Sequence, residues 1–263
     1  MRLFERSPSA SRHAADILKE ARALLAPRIE QPARRAFLAR TLSLGGLAML
    51  SGCDLSDDER VETALSAVSR YNDRVQGWIF DPAALAPTYP ESMIARPFPF
   101  NAFYGVDDAP AVDESDYRLE VTGKVADARS WRLAELRAMA QTDQVTRHIC
   151  VEGWSAIGRW GGVRFSDFLK RVGADTRARY VGFKCADDYY TSIDMATALH
   201  PQTLLALTYD GRTLPREYGF PMKLRIPTKL GYKNPKHVQA IFVTDTYPGG
   251  YWEDQGYNWF GGS

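Results

Sequence analysis

Arg147-His148-Ile149-Cys150-Val151-Glu152-Gly153-Trp154-Ser155, followed by Trp160-Gly161-Gly162, is the stretch on which the reading of this chain turns. A lone thiol ends an apolar run and is followed at once by a carboxylate, a glycine and an indole. A thiolate is a soft ligand for a redox metal. The glycines let the backbone come close to something bulky, and the tryptophans, Trp154 and Trp160, can wall a dry pocket. The plain alternative is a buried structural cysteine, a common fate of a free thiol.

Around this stretch the hydrophobic pattern is that of short strands mixed with short helices. Tyr117-Arg118-Leu119-Glu120-Val121 alternates with period two and stops at Gly123, which reads as a strand. Residues 133–140 read as a short helix, and residues 145–150 as a strand that delivers the thiol. Ser166 is placed to cap a helix running to Gly173. Residues 179–185 read as a strand and 195–199 as a helical turn. Residues 204–209 and 212–214 flank Asp210-Gly211, a strong hairpin signal. Residues 222–226 and 238–244 close the sheet, so the fold class is α+β. Four prolines (Pro87, Pro90, Pro97, Pro99) make residues 83–100 an irregular wrapped arm, and residues 54–74 read as a tether leading into a helix.

The run C-V-E-G-W-S at Cys150, with the tryptophan and glycines after it, resembles the molybdenum-binding segment of the sulfite oxidase superfamily. It is most similar to the branch that contains the catalytic subunits of periplasmic protein-methionine-sulfoxide reductases. The resemblance covers about residues 100–245. It implies a mixed, barrel-like molybdopterin-binding fold, one molybdenum-molybdopterin (Mo-MPT) cofactor per chain, Cys150 as the thiolate on the metal, and oxygen-atom transfer.

The same resemblance nominates other residues. Asn101 and Tyr104 match an asparagine and a tyrosine that face the cofactor, while Gly105 replaces a glutamate. Cys185 stands where the relatives have a threonine close to the cofactor, and Tyr218 where they have an asparagine. Lys223 replaces an arginine and keeps the charge as a point rather than a fork. The run Lys229-Leu230-Gly231-Tyr232-Lys233-Asn234-Pro235-Lys236 is similar to a loop lying on the pterin and its phosphate, which implicates Lys233, Asn234 and Lys236. His237 is a candidate pterin or phosphate donor, and His148 is expected behind the metal. Glu152 and Tyr104 are candidate proton donors or orienters. A Cys150–Cys185 disulfide is the competing reading in an oxidising compartment.

The N-terminus points to export. Arg34-Arg35-Ala36-Phe37-Leu38 is a twin-arginine pair, and the apolar stretch at 41–50 is too short to span a bilayer, so it reads as a signal core. Leu50-Ser51-Gly52-Cys53 resembles a lipoprotein processing box, with Asp54 next to it. The expected organisation is therefore a leader and signal over 1–53, a tether and arm over 54–99, and a catalytic domain over 100–263. The expected location is the periplasm, anchored to the inner membrane by lipid at Cys53.

Charge and the absence of other motifs bound the partners. Nine basic residues against four acidic ones in 1–52 leave the remainder mildly acidic, which argues against nucleic acid as a partner. There is no C-x-x-C-H haem site and no GxGxxG site, so molybdenum is the expected sole redox centre. Electrons then come from another protein, a membrane haem b protein or a c-type cytochrome, and the twin-arginine translocase is the export partner. Only about 18 residues follow the matched region, too few for the dimerisation domain of true sulfite oxidases, so a monomer is expected. With Glu152 and Trp154 beside the thiol and no arginine cluster there, the expected substrate is a neutral S- or N-oxide such as methionine sulfoxide. The alternatives are sulfite oxidation, which would draw on Arg147, Arg159 and Arg225, and a non-catalytic binding lipoprotein on the same fold.

Overall fold

The computed structural model describes residues 59–263; the leader, the twin-arginine pair and Cys53 lie outside the described residues. The first described element is α1 (Glu59–Ile79). Residues 65–263 form one unit, and of the unit 1–64 only the first residues of α1 are described. Among the described residues no helix is long and apolar enough to cross a membrane.

Ten strands build two five-stranded sheets. The first has the order β2 (Ser130–Trp131), β1 (Leu119–Gly123), β10 (Val238–Thr244), β5 (Tyr180–Cys185), β6 (Tyr190–Asp194). Its β1–β10 pair is parallel and its other pairs are antiparallel. The second runs β3 (Gln141–Ile149), β4 (Ser155–Arg164), β7 (Leu204–Tyr209), β8 (Arg212–Thr213), with β9 (Lys223–Arg225) also on β7. Leu119, Val121, Val181, Phe183 and Ile241 of the first sheet share one core with Val163, Leu205, Leu207 and Leu224 of the second. Three short helices, α2 (Leu133–Arg137), α3 (Phe165–Arg171) and α4 (Met195–Leu199), add Leu136, Phe168 and Ala198 to that core.

The expected strands and helices are present, and β2, β4 and β6 are strands beyond those expected. Ser166 lies inside α3; Arg164 holds the N-cap position and makes no side-chain cap bond. The longest strand, β4, was read only as pocket lining. It lacks period-two alternation because both of its faces are buried. Its glycines serve the sheet: a Cβ on Gly162 would sit 2.0 Å from Leu205 O of β7, so that approach, rather than a ligand, requires glycine. Trp160 is wholly buried against Phe98 and Tyr209 in a second small cluster, not on a pocket wall. The Asp210-Gly211 turn has φ of 49° and 74°, the left-handed pair that a two-residue hairpin demands.

The proline-rich arm runs along free backbone edges of β3 and β4 in the second sheet. Tyr89 N donates to Val145 O at 3.0 Å and Ala95 N to Ile157 O at 2.9 Å. Its prolines cannot join a ladder, so it touches β3 and β4 only at isolated points such as Thr88–Thr146.

Candidate active site

β3 and β4 are joined by a tight turn, and Cys150 is its first residue. Cys150 N donates to Trp154 O at 2.9 Å and Gly153 N to Cys150 O at 3.2 Å. Gly153 takes φ of 92°, which a side chain would strain. The turn lifts the thiol off the end of β3 into a cavity of about 140 Å³. Asn101, Phe103 and Tyr104 reach it from the segment before β1, and Glu152 from the turn itself. Asp187 and Tyr189 come from the β5–β6 turn, Gly231, Tyr232, Asn234 and Lys236 from the loop before β10, and Trp252 and Tyr257 from the C-terminal segment.

Cys150 and Cys185 are both free thiols. Burial, helped by Glu152, pushes the Cys150 thiol up. Its Sγ lies 3.6 Å from Glu152 Oε2, which also accepts from Trp154 Nε1 at 2.9 Å. A metal ion would reverse that trend, since coordination deprotonates a thiol outright. Among the described residues no group of three His, Cys, Asp or Glu could hold a metal, so any metal on Cys150 must bring further ligands with it.

Behind the thiol sits an unbalanced set of cations. Lys223 and Arg225 are wholly buried and Lys236 nearly so. Burial drives the Lys223 ammonium well below its ordinary value, and repulsion from Lys236 and Arg225 adds to this. Burial likewise brings Lys236 down to about 8, against the pull of Asp187. His148, wholly buried between Phe98 and Trp154, is held neutral by burial and by the same three cations. Neither of its ring nitrogens has a partner, and His237 Nε2 and Arg225 Nε are unpartnered as well. Buried polar groups are ordinarily satisfied, so this concentration of orphaned nitrogens and cations around a lone thiol marks a place for an anionic group rich in hydrogen-bonding edges. Gly231 keeps the space open: a Cβ there would lie 2.8 Å from His148 Nε2 and 3.5 Å from Asn101 Nδ2. A molybdopterin with its phosphate fits this donor set.

The other nominated residues are placed as follows. Tyr104 donates its hydroxyl to Asp187 Oδ2 at 2.8 Å, and burial with Asp187 holds the phenol protonated, well above its ordinary value. Asn234 is on the cavity, but its amide is committed: Oδ1 accepts from Arg225 and from Ile226 N, and Nδ2 donates to Leu230 O. Lys236 donates to Glu217 O and lies 4.4 Å over Phe100. His237 donates from Nδ1 to Phe220 O at 2.7 Å. Lys233 is turned away from the cavity into a fully buried ion pair with Glu253. Cys185 ends β5 inside the core, its thiol pushed well up by burial and by Asp187. Tyr218 donates to Phe98 O, within the aromatic cluster.

None of the three arginines weighed for sulfite reaches the cavity. Arg147 is exposed over Tyr89, Arg159 pairs with Glu91 and Asp143, and Arg225 donates to Thr146 Oγ1 and Arg147 O. The residue that sequence reading missed is Asp187; its signal was the Asp187-Asp188 pair that ends a strand run beside Cys185. The wall formed by Trp252 and Tyr257 was missed too, because the C-terminal segment carries no periodic pattern.

Residues 106–252 match the model of the oxidoreductase molybdopterin binding domain. The chain belongs to this family. It is 69% identical over 247 residues, 94% of either chain, to the putative protein-methionine-sulfoxide reductase subunit YedZ1 of Azospira oryzae. It is 31% identical over 156 residues to the protein-methionine-sulfoxide reductase catalytic subunit MsrP of Xanthomonas campestris, a match that covers 53% of this chain and 48% of that relative. The sulfane dehydrogenase SoxCD of Paracoccus pantotrophus superposes with a TM-score of 0.50 at 20% identity, over 52% of this chain and 40% of that one, which bears on the fold alone. This chain is thus a molybdopterin-binding oxidoreductase of sulfite oxidase-type fold, and the cations and orphaned nitrogens behind Cys150 are in the part of the chain that the family model matches.

Proposed function

We propose that this chain reduces neutral S- or N-oxides, methionine sulfoxide among them, in the bacterial envelope, with electrons from a membrane haem b protein or a c-type cytochrome. The observation that carries this reading is the cavity wall at Cys150: two carboxylates, Glu152 and Asp187, with aromatic rings, no arginine, and one lysine, Lys236, which this reading gives to the cofactor phosphate. A sulfite dianion would be repelled by both carboxylates, the exposed Glu152 and the half-buried Asp187, without a fork of donors to offset it. A sulfoxide is neutral, and its carbon substituents can rest on ring faces. The names of the reductase relatives point the same way.

In this reading Cys150 holds the molybdenum, and Lys223, Lys236, Asn101, His148 and His237 hold the pterin and its phosphate. When bound, the Mo-MPT group supplies two-electron oxygen-atom transfer. Releasing the oxide's oxygen as water takes two protons per turnover. Tyr104 keeps its phenol proton on Asp187 at the cavity, and the half-buried Asp187 links that phenol to solvent. Glu152 fixes the Trp154 indole and sits against the thiol, setting the floor on which the substrate rests. Protein made with its own signal should contain near-stoichiometric molybdenum; a metal-free but folded and exported protein would contradict the proposal.

Export by the twin-arginine route and lipid anchoring at Cys53 belong to the same proposal, on the motifs at Arg34-Arg35 and Leu50-Ser51-Gly52-Cys53. Arg34→Lys with Arg35→Lys is expected to trap the protein in the cytoplasm. Cys53→Ala is expected to release it from membranes on carbonate washing, and retention after that wash would refute the anchor.

A further inference from the structure

α1 is packed inside out. Its polar side faces the protein: Asp73 accepts from Asn258 Nδ2 at 2.6 Å and from Phe260 N at 3.0 Å. Gly77 lies against Phe260, where a Cβ would come within 3.7 Å of the ring. At 100° per residue, Val68, Tyr71, Trp78 and Ile79 fall on the opposite side and Leu65 at its edge, and all five are exposed. Trp78 is 86% exposed and Ile79 69%, values that water does not favour for such side chains in an ordered helix. Arg74, also exposed, borders the Trp78 side of this stripe, whereas Arg70 lies nearer Gly77, and both line a pocket with Asp73 and Asp194.

We propose that α1 lies on a lipid bilayer along this stripe, with anionic headgroup phosphates against Arg74. Three observations favour a bilayer over a protein partner. Fifteen residues from Leu65 to Ile79 make a strip about 20 Å long and about 10 Å wide. That is roughly 200 Å², far below the roughly 800 Å² per partner of a specific protein interface. Its composition, Trp and Tyr among aliphatic residues with Arg74 at its border, is that of a helix seated at the headgroup level. The third is distance along the chain, which rests on the lipid-anchor reading: Cys53 precedes Glu59 by six residues, a reach of at most about 20 Å. An anchored chain therefore starts α1 at the membrane surface. The stripe then adds a second contact that fixes the orientation of the catalytic unit relative to the membrane, which a lipid at Cys53 alone does not do.

The probe is the full chain on vesicles of phosphatidylcholine with a minority of phosphatidylglycerol, brominated near the headgroup end of the acyl chains. Of the six tryptophans, only Trp78 is exposed. The expected result is quenching of tryptophan emission by brominated lipid, mostly lost in Trp78→Phe, and weakened in Arg74→Gln. Catalytic turnover should be unchanged in these variants. Flotation with the vesicles reports the anchor separately. A chain that floats while Trp78 stays open to an aqueous quencher overturns the proposal and leaves the anchor standing. Protection of Trp78 that rises with protein concentration in the absence of lipid also overturns it, in favour of a second copy.

Discussion

At the residue scale, the account rests on one thiol and the cations behind it. Cys150→Ser should abolish turnover, because a hydroxyl cannot replace the soft thiolate. Pterin content, read by fluorescence after release, should persist in that variant, since Asn101, His148 and the lysines remain. Full activity would refute the ligand assignment. Lys223→Met makes a sharper, two-sided test. Lys223 is a wholly buried ammonium with no carboxylate against it, so in cofactor-free protein the charge is a cost. Methionine fills a similar volume without charge. Cofactor-free Lys223→Met should therefore unfold at higher denaturant than cofactor-free wild type, by about 1–3 kcal/mol, while its pterin occupancy falls. If the substitution lowers stability and leaves occupancy intact, Lys223 is a structural cation and not a phosphate ligand. Asp187 belongs to this scale as well: the hydrogen bond from Tyr104 made it a site residue, and no sequence spacing announces that contact.

At the element scale, β4 decides how the thiol is presented, since Cys150 opens the turn that leads into β4 and its N–H donates to Trp154 O. Gly162→Ala would place a Cβ 2.0 Å from Leu205 O, so β4 must shift against β7. The expected loss is about 1–3 kcal/mol of stability, read by denaturant melts, with reduced pterin retention because the turn moves with its strand. Unchanged stability would mean that the close approach is not a constraint. The elements that carried their own local signals were legible in the sequence. The alternation to Gly123, the Asp210-Gly211 hairpin and the helix after residue 132 are each set by neighbours in the chain. β4 was not legible, because a strand buried on both faces loses its alternation, and Gly161-Gly162 looked like ligand contacts when they serve strand packing. Trp160 misled for a similar reason, since a buried indole and a pocket indole read alike in sequence. Cys150 was legible through its flanking residues. The cation set was only half legible: Lys223 and Lys236 came from the resemblance, whereas the burial of Arg225 and the unpartnered nitrogens of His148 arise only when β3, β9 and the loop before β10 are brought together.

At the scale of the whole molecule, the C-terminal segment and α1 close one side of the unit through charged groups that are out of water. Lys229 is 1% exposed, donates to Phe260 O at 2.9 Å, and is brought down by burial to about 7 from its ordinary 10.5. Above pH 7 the folded chain has released a proton that the unfolded chain holds until near 10.5, so unfolding takes up a proton in that window. Stability attributable to this group therefore rises with pH between about 7 and 10.5, by at most about 1.4 kcal/mol per pH unit, and is flat below 7, where both states are protonated. Denaturant melts of wild type and Lys229→Met at several pH values should show the difference moving towards wild type as pH rises; parallel curves would contradict it. The functional claim for the whole molecule is that a carboxylate-lined, arginine-free cavity selects neutral oxides. The most direct measurement compares two reactions of one molybdenum-loaded preparation: anaerobic reduction of methionine sulfoxide by reduced viologen, and oxidation of sulfite with an artificial acceptor. The account predicts ready turnover of the sulfoxide and negligible oxidation of sulfite. An enzyme that oxidises sulfite faster than it reduces any S- or N-oxide would contradict it.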